Sequence, residues 1–302
     1  MRIDGDLPST EHLEALVAAQ PDGCALLQPF YNDPVLFERD MDRIHLSRWL
    51  CAGHVSRVPE PGDWFRFDLA GESLIIVRDT GRKLRALVNV CRHRGSRVCQ
   101  EESGQARRLV CPYHAWTYDL EGRLRAARNM PGLDLAAHSL ASVHCRVDQG
   151  LIFVCFAEEP PEFAHVAEAL AQSLGRYGWA GAKVAHRASY PVAANWKLVT
   201  ENYQECYHCR PAHPEFSRSH ATERPDEETE ELRRAASDRA AAQGIEIPEV
   251  DDWPSGGGPG REMIGTSNDA MYEGSLTGSR DGSPVAPLMG DFDDYFGGFM
   301  TY

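Results

Sequence analysis

Apolar residues recur at helical spacing twice near the start of the chain, then give way to short alternating and continuous apolar runs. Ser9-Thr10-Glu11-His12-Leu13-Glu14-Ala15-Leu16-Val17 opens with capping residues and keeps Leu13, Leu16 and Val17 on one face, which predicts a helix. The stretch from Asp33 to Ile44 does the same, with Asp33 as N-cap and Pro34 at the first helical position. From Trp49 to about Ile152 the period shortens. Trp64 to Leu69 alternates, Ser73 to Arg78 is a buried-type run, and Leu84 to Val90 leads straight into a cysteine. Gly62, Gly71, Gly81 and Gly122 punctuate these runs, Trp116 to Leu124 reads as a hairpin, and Leu151 to Phe156 closes the section as a strand. Beyond the break at Pro160-Pro161 the pattern predicts a helix over 163–175 and a strand over 183–196. It then predicts a charged, Ala-rich exposed helix over 222–243, a flexible loop over 255–260 and an apolar, strand-like end over 298–302. The expected class is α+β: a helical part over 1–44, a β-sandwich with its functional loops at one end over 45–155, and a mixed α/β domain over 156–302.

Composition narrows the partners. The 302 residues carry a formal net charge of −14, which argues against nucleic acid and an anionic membrane surface and agrees weakly with a cationic substrate. Hydrophobic content of 42% and charged content of 25% fit a globular protein, and no apolar run reaches the length of a membrane span. The nine cysteines are odd in number and irregular in spacing, and the Met-Arg-Ile-Asp-Gly-Asp start lacks a secretory apolar core. A reducing cytoplasm with free thiols is the expected setting, with Cys24, Cys145 and Cys155 as small core hydrophobes. His12, His45, His54, His186 and His220 are read as packing or surface residues.

The chemistry concentrates in two stretches. The first runs Cys91-Arg92-His93-Arg94-Gly95, has seventeen residues between His93 and Cys111, and continues Pro112-Tyr113-His114-Ala115-Trp116. Each half offers one thiolate and one imidazole. A structural Cys2His2 zinc site is one use of such a set, but a zinc finger places two Cys before two His, whereas here each pair is mixed. Mixed pairs suit a [2Fe–2S] centre in which one iron takes both cysteines and the other both histidines. Gly95 and Pro112 suit tight loops around it. Over roughly residues 45–155 the chain resembles the Rieske non-haem iron oxygenases, which implies that Cys91, His93, Cys111 and His114 hold one Rieske cluster.

The second stretch runs from Asn195 to Glu215. His208 and His213 are five apart, Glu205 precedes His208 by three on a predicted helix, and Pro211 and Pro214 stop that helix so that His213 can turn back. Two imidazoles beside a carboxylate suggest a mononuclear Fe(II) site with open positions. Cys206 and Cys209 form a Cys-x-x-Cys that a redox pair or half a zinc site would also use, though no thioredoxin-like context surrounds it. Asn202 is either a residue supporting the iron or a polar helix position. The stretch also resembles the catalytic-domain motif of Rieske oxygenases. The resemblance implies that His208 and His213 bind mononuclear iron, and that Glu205 is not a ligand but an electron bridge. Glu205 would join His114 of a neighbouring subunit to His208, which implies a homotrimer. Glutamate where the family usually has aspartate, inside Glu-Cys-Tyr-His-Cys, looks most like the branch acting on quaternary or methylated amines such as carnitine, glycine betaine, choline and stachydrine. The family's third iron ligand is an Asp on a helix near the C-terminus. Here Asp291, Asp293 and Asp294 lie in a Gly-flanked loop pattern, so the helix-grip catalytic domain is expected to be C-terminally incomplete.

The resemblance implies the oxygenase component of a two-component system. O2 and electrons from a separate NAD(P)H-dependent flavin/iron–sulfur reductase would hydroxylate or N-demethylate a methylated amine, releasing formaldehyde in the second case. A separate reductase is expected because no Gly-x-Gly-x-x-Gly follows a strand here. Tyr203, Tyr207, Trp253, Tyr272, Tyr295 and Phe296 are available to line a cation pocket. An aromatic-ring-hydroxylating dioxygenase alpha subunit and a Rieske electron-transfer protein are the alternatives.

Overall fold

The computed structural model describes residues 10–22, 24–204, 208–220, 226–242, 244, 266–269, 271–272, 275, 279, 281, 283 and 298–301. The chain divides into two compact units, residues 1–191 and 192–302.

The first unit begins with helices α1 (Thr10–Ala19), α2 (Pro29–Asn32) and α3 (Pro34–Asp40). Asp33 caps α3 as the sequence predicts, its Oδ1 accepting from the Val35 amide at 2.8 Å with Pro34 in the first turn. The helix runs on into a π turn over Met41–His45. Ten strands follow: β1 (Leu50–His54), β2 (Asp63–Leu69), β3 (Glu72–Arg78), β4 (Leu84–Val88), β5 (Ser103–Gln105), β6 (Leu109–Val110), β7 (Thr117–Tyr118), β8 (Leu124–Ala126), β9 (Ser142–Asp148) and β10 (Leu151–Cys155). They form a seven-stranded antiparallel sheet in the order β1-β10-β9-β4-β3-β2-β5 and a three-stranded sheet β6-β7-β8.

Strand β3 explains why the run from Leu74 to Val77 is wholly apolar. Successive side chains point to opposite faces, and both faces are covered. Ile75 and Val77 join Leu87, Leu109, Tyr118 and Leu124 in the core between the two sheets, together with Cys91 and Cys111. Leu74 and Ile76 join Phe65, Ala86, Ile152 and Val154 in a second core. Because β10 and β2 lie at different places in the strand order yet share that second core, the large sheet curls around it as a half-barrel. Helix α4 (Ala164–Leu174) follows, with Phe163 at its start packed edge-on to Trp49 and Phe153.

In the second unit, α5 (Trp196–Gln204), α6 (Cys209–Ala212) and α7 (Asp226–Ala242) precede an antiparallel pair, β11 (Thr266–Asp269) and β12 (Gly298–Thr301). The α7 helix was expected to be exposed, but Ala236 and Ala240 on one side of it are buried.

Three expectations are corrected. Residues 183–195 are irregular rather than a strand, since among the described residues no strand pairs with them. Cys24 is exposed, whereas Cys155 is buried and Cys145 half-buried against the second core. The expectation of free thiols holds at Cys24, Cys51, Cys91, Cys99, Cys111, Cys145 and Cys155 and fails at Cys209, which is disulfide-bonded.

Candidate metal centres

The cluster-type residues sit on two loops built to one pattern. In the first, after β4, the Cys91 amide donates to Ser96 O at 2.8 Å and the Gly95 amide returns to Cys91 O at 3.0 Å. In the second, between β6 and β7, the Cys111 amide donates to Trp116 O at 2.8 Å and the Ala115 amide returns to Cys111 O at 3.0 Å. Each loop therefore closes over its cysteine with the same pair of bonds. Each also needs a left-handed residue four positions on, met by Gly95 (φ 72°) and Ala115 (φ 57°). The pattern puts one thiol and one imidazole from each loop at one end of the sandwich.

The donor set fits a cluster with two ligands per iron. Both thiols are almost wholly buried. Burial pushes the Cys91 thiol up, partly offset by a hydrogen bond with Tyr118, and the neighbouring Cys111 pushes it up further. A thiol held so unwillingly as a free anion is stabilised as a metal thiolate. The His93 and His114 rings lie 4.6 Å apart, centroid to centroid, and the His93 ring stacks on Trp116 at 4.9 Å. Their Nδ1 atoms are buried and make no hydrogen bond. Two buried imidazole nitrogens side by side with no protein partner fit as the ligands of one iron of such a cluster. Burial, then His114 and Arg94, hold the His93 imidazole below its usual range, keeping it neutral and able to coordinate. Among the described residues no three potential ligands converge on one point. The thiols lie beside one another and so do the imidazoles, the two-and-two grouping that a two-iron centre takes.

Two residues in this centre escaped the sequence reading. Asn89, wholly buried, accepts from the Val98 and Cys99 amides at 3.0 and 2.8 Å and donates to Ser73 Oγ and Cys99 O at 3.2 and 2.8 Å. It pins the returning limb of the first loop to β3. Its signal was a lone amide at the end of an apolar strand. Tyr118 lies with its hydroxyl 3.3 Å from Cys91 Sγ and 3.1 Å from the Arg92 amide nitrogen. The amide can only donate, so the hydroxyl accepts there and its own proton is free to point at the sulfur. Its spacing four residues after His114 was the available signal.

In the second unit, His208 stands just before α6 and His213 just after it, their rings 5.4 Å apart at 79°. Pro211 does not break a helix here. It lies inside α6, and the turn ends with the His213 amide donating to Cys209 O at 2.7 Å. The four-residue turn is what brings the two imidazoles together. They fit as two ligands of a mononuclear ion. Asn202 lies on α5 with its side chain exposed. Glu205, Tyr207, Cys206, Trp253, Asp291, Asp293, Asp294, Tyr295 and Phe296 lie outside the described residues. Tyr203 is exposed and Tyr272 half-buried.

Residues 48–142 match the Rieske [2Fe-2S] domain, and residues 180–275 match the ring hydroxylating alpha subunit catalytic domain. The chain is 40% identical to the glycine betaine monooxygenase oxygenase subunit of Chromohalobacter salexigens over 227 residues, 71% of this chain and 51% of that one. It is 34% identical to the carnitine monooxygenase oxygenase subunit of Acinetobacter baumannii over 225 residues, 70% of this chain and 59% of that one. A crystal structure of the quaternary ammonium Rieske monooxygenase CntA with its substrate gamma-butyrobetaine superposes with a TM-score of 0.57 at 35% identity, covering 62% of this chain and 55% of that one. The chain spans about half the length of the curated relatives it matches. The first domain implies a [2Fe–2S] cluster and the second a mononuclear iron. With both domains present in this order, the chain carries the Rieske and the catalytic domains of the Rieske non-haem iron oxygenases.

Proposed function

We propose that this chain is oxygenase-component sequence of a two-component monooxygenase acting on a quaternary or methylated amine. The observation that carries the reading is the pair of buried, unpartnered His93 and His114 Nδ1 atoms beside two buried thiols, on a chain 40% identical to a glycine betaine monooxygenase oxygenase subunit. Cys91 and Cys111 would hold one iron through sulfur, and His93 and His114 the other through Nδ1. His208 and His213 would supply two ligands to a mononuclear iron, with Glu205 as the bridge between subunits of a homotrimer and Asn202 in support. Residues 45–155 would form the cluster domain, and 1–44 and 156–302 the catalytic one, in agreement with the matched spans 48–142 and 180–275. When bound, the cluster supplies one-electron storage. The chain's own contribution is to bury the thiols, keep the His93 imidazole neutral, and donate a Tyr118 hydrogen bond to sulfur. Electrons would come from a separate NAD(P)H-dependent flavin/iron–sulfur reductase, and O2 is the co-substrate.

The cell compartment proposed is the cytoplasm. Among the described residues no helix is long and apolar enough to cross a membrane.

The test is product analysis with the iron- and sulfide-loaded chain, a flavin/iron–sulfur reductase, NADH and glycine betaine or carnitine. Amine-dependent formaldehyde or hydroxylated product is expected. A cis-diol from an aromatic substrate instead would favour a ring dioxygenase. A cluster that cycles with no product from any substrate would favour an electron carrier, against which the paired His208 and His213 rings already argue.

A further inference from the structure

One basic cluster in the first unit has no part in either metal centre. A cavity of about 420 Å³ opens where the end of β1, the middle of β2 and the approach to β5 meet the irregular segment around 184–187. Gly53, Arg57, Arg66, Glu102, His186 and Arg187 are among its lining. Three guanidiniums and two carboxylates, those of Asp68 and Glu102, face this space, which leaves one positive charge over.

Two of the guanidiniums have partners. Arg66 Nε donates to Asp68 Oδ2 at 2.7 Å, and its Nη1 donates to Gln100 O. Arg187 Nη1 lies 3.9 Å from Glu102 Oε2, a loose pair with a carboxylate that is 82% exposed. Arg57 is different. Its guanidinium carbon rests 3.6 Å from the centre of the Phe65 ring, so one face is covered by apolar carbon. Gly53 makes the room beneath it: a Cβ there would come within 3.2 Å of Arg57 Nη1. Among the described residues no carboxylate or carbonyl accepts a hydrogen bond from Arg57. Burial first, and the Arg187 charge second, weaken its hold on its proton, and the Glu102 carboxylate offsets this only in part. His54 is already committed, with Nδ1 beside Ser56 Oγ at 3.0 Å and Nε2 beside Trp179 O at 3.1 Å.

A half-buried guanidinium with five unused donors, facing a second guanidinium across a small cavity, is a receptor for a planar or tetrahedral oxyanion. We propose that Arg57 and Arg187 clamp a small oxyanion, a carboxylate or phosphate of a few atoms, between the sheet and the 184–187 segment. The segment is also tied to the sheet by the Val184 amide donating to Ser56 Oγ at 3.3 Å. The bound anion adds a second tie, supplies the missing acceptor for Arg57 and cancels the surplus charge. The proposal rests on this geometry alone and stands whether or not the chain is an amine oxygenase.

The test is the thermal unfolding midpoint of the cluster-loaded chain, titrated with inorganic phosphate or with acetate, against chloride at matched ionic strength. A saturable rise with either oxyanion, absent with chloride, is expected, since a ligand that binds only the folded state stabilises it by mass action. The anion with the lower half-saturating concentration identifies the class. Arg57→Gln abolishes the rise, and Arg57→Lys, which keeps charge but loses the fork, raises the half-saturating concentration at least tenfold. Arg187→Gln, at an exposed position, gives the same loss and serves if Arg57→Gln does not fold. Trypsin cleavage after Arg187 slows with the anion in the parent chain. A rise matched by chloride, a rise undiminished in Arg57→Gln or Arg187→Gln, or no rise with either oxyanion overturns the proposal.

Discussion

Replacing Tyr118 with Phe removes one oxygen from the wall of the cluster site and leaves the ring that fills the core. The hydroxyl sits 3.3 Å from Cys91 Sγ, and because it accepts from the Arg92 amide its proton points at the sulfur. A hydrogen bond to a cluster sulfur stabilises the reduced, more negative form more than the oxidised one, so it raises the reduction potential. Hydrogen bonds to charged groups contribute about 1.5–3 kcal/mol. Sulfur is a weak acceptor and only the difference between redox states counts, so about 1.4 kcal/mol, just under that range, is the working value. One tenfold change in a one-electron equilibrium corresponds to about 59 mV, and Tyr118→Phe is therefore expected to lower the potential by about 60 mV. The variant also leaves the Arg92 amide without its acceptor, which costs about 1–2 kcal/mol of stability. The assay is a spectroelectrochemical titration of the visible bands, done on protein that still carries two irons and two sulfides per chain. A potential unchanged within about 10 mV, or raised, in such protein would refute the assignment of the hydroxyl proton to Cys91.

Further substitutions test other parts of the structure. Asn89→Ala strips four buried hydrogen bonds from the first loop, and is expected to cost about 3 kcal/mol or more and to lower iron per chain, read by urea unfolding and metal analysis. Gly95→Ala places a Cβ in open space at φ 72° and costs about 1 kcal/mol with the cluster retained. Gly62→Ala, where the Cβ would meet Ala106 O at 2.6 Å, costs clearly more in the same denaturation series. His208→Ala is expected to drop anaerobically loaded protein from about three irons per chain to about two while the cluster spectrum stays unchanged; loss of the cluster would sink that reading. Burial pushes Cys99 up to about 12 and Cys145 up to about 11. Both are therefore expected to resist iodoacetamide at pH 8 in the folded chain and to react once it is unfolded. Their raised values mean the stability they lend is fully present below the unfolded thiol range and is lost as pH climbs from about 9 towards 12, visible as a falling midpoint.

The half-barrel was legible in the sequence wherever one residue type decided the outcome. Asp33-Pro34 fixed a helix start because a short carboxylate reaches the second amide and proline already has the helical φ. The 73–78 run announced a strand buried on both faces, and β3 has a core on each. The strands β1 and β9 were not legible. Ser142-Val143-His144-Cys145-Arg146-Val147-Asp148 alternates, but its outer positions are exposed and its identity as a strand comes from pairing with β10 and β4. The converse error at 183–196 has the same root. The local pattern suits a strand, but among the described residues no strand pairs with it. Of the site, the ligand types and spacing were readable, whereas Tyr118 and Asn89 were not, because their roles depend on partners 27 and 16 residues away in the chain.

The two loops show why a motif of so few residues suffices to hold a cluster. Each cysteine amide is tied five residues ahead and each cysteine carbonyl four ahead, so the loop shape is set by backbone bonds rather than by the intervening side chains. Arg92, Arg94, Pro112 and Tyr113 are accordingly exposed and free to vary without changing that shape. What the shape does require is a residue willing to turn left-handed at the fourth position. Glycine meets this in the first loop and alanine in the second, and alanine there costs about 1–2 kcal/mol. That strain is borne by a loop whose cysteine is buried and whose next residue, Trp116, stacks on the opposing histidine. The packing of the second loop thus offsets a backbone cost that the first avoids by its choice of residue. On this reading Ala115→Gly leaves the cluster in place and relaxes the second loop, while Ala115→Val, branched at Cβ in a left-handed turn, lowers both the unfolding midpoint and the iron content. Equal behaviour of the two variants would mean that φ at this position does not set the loop.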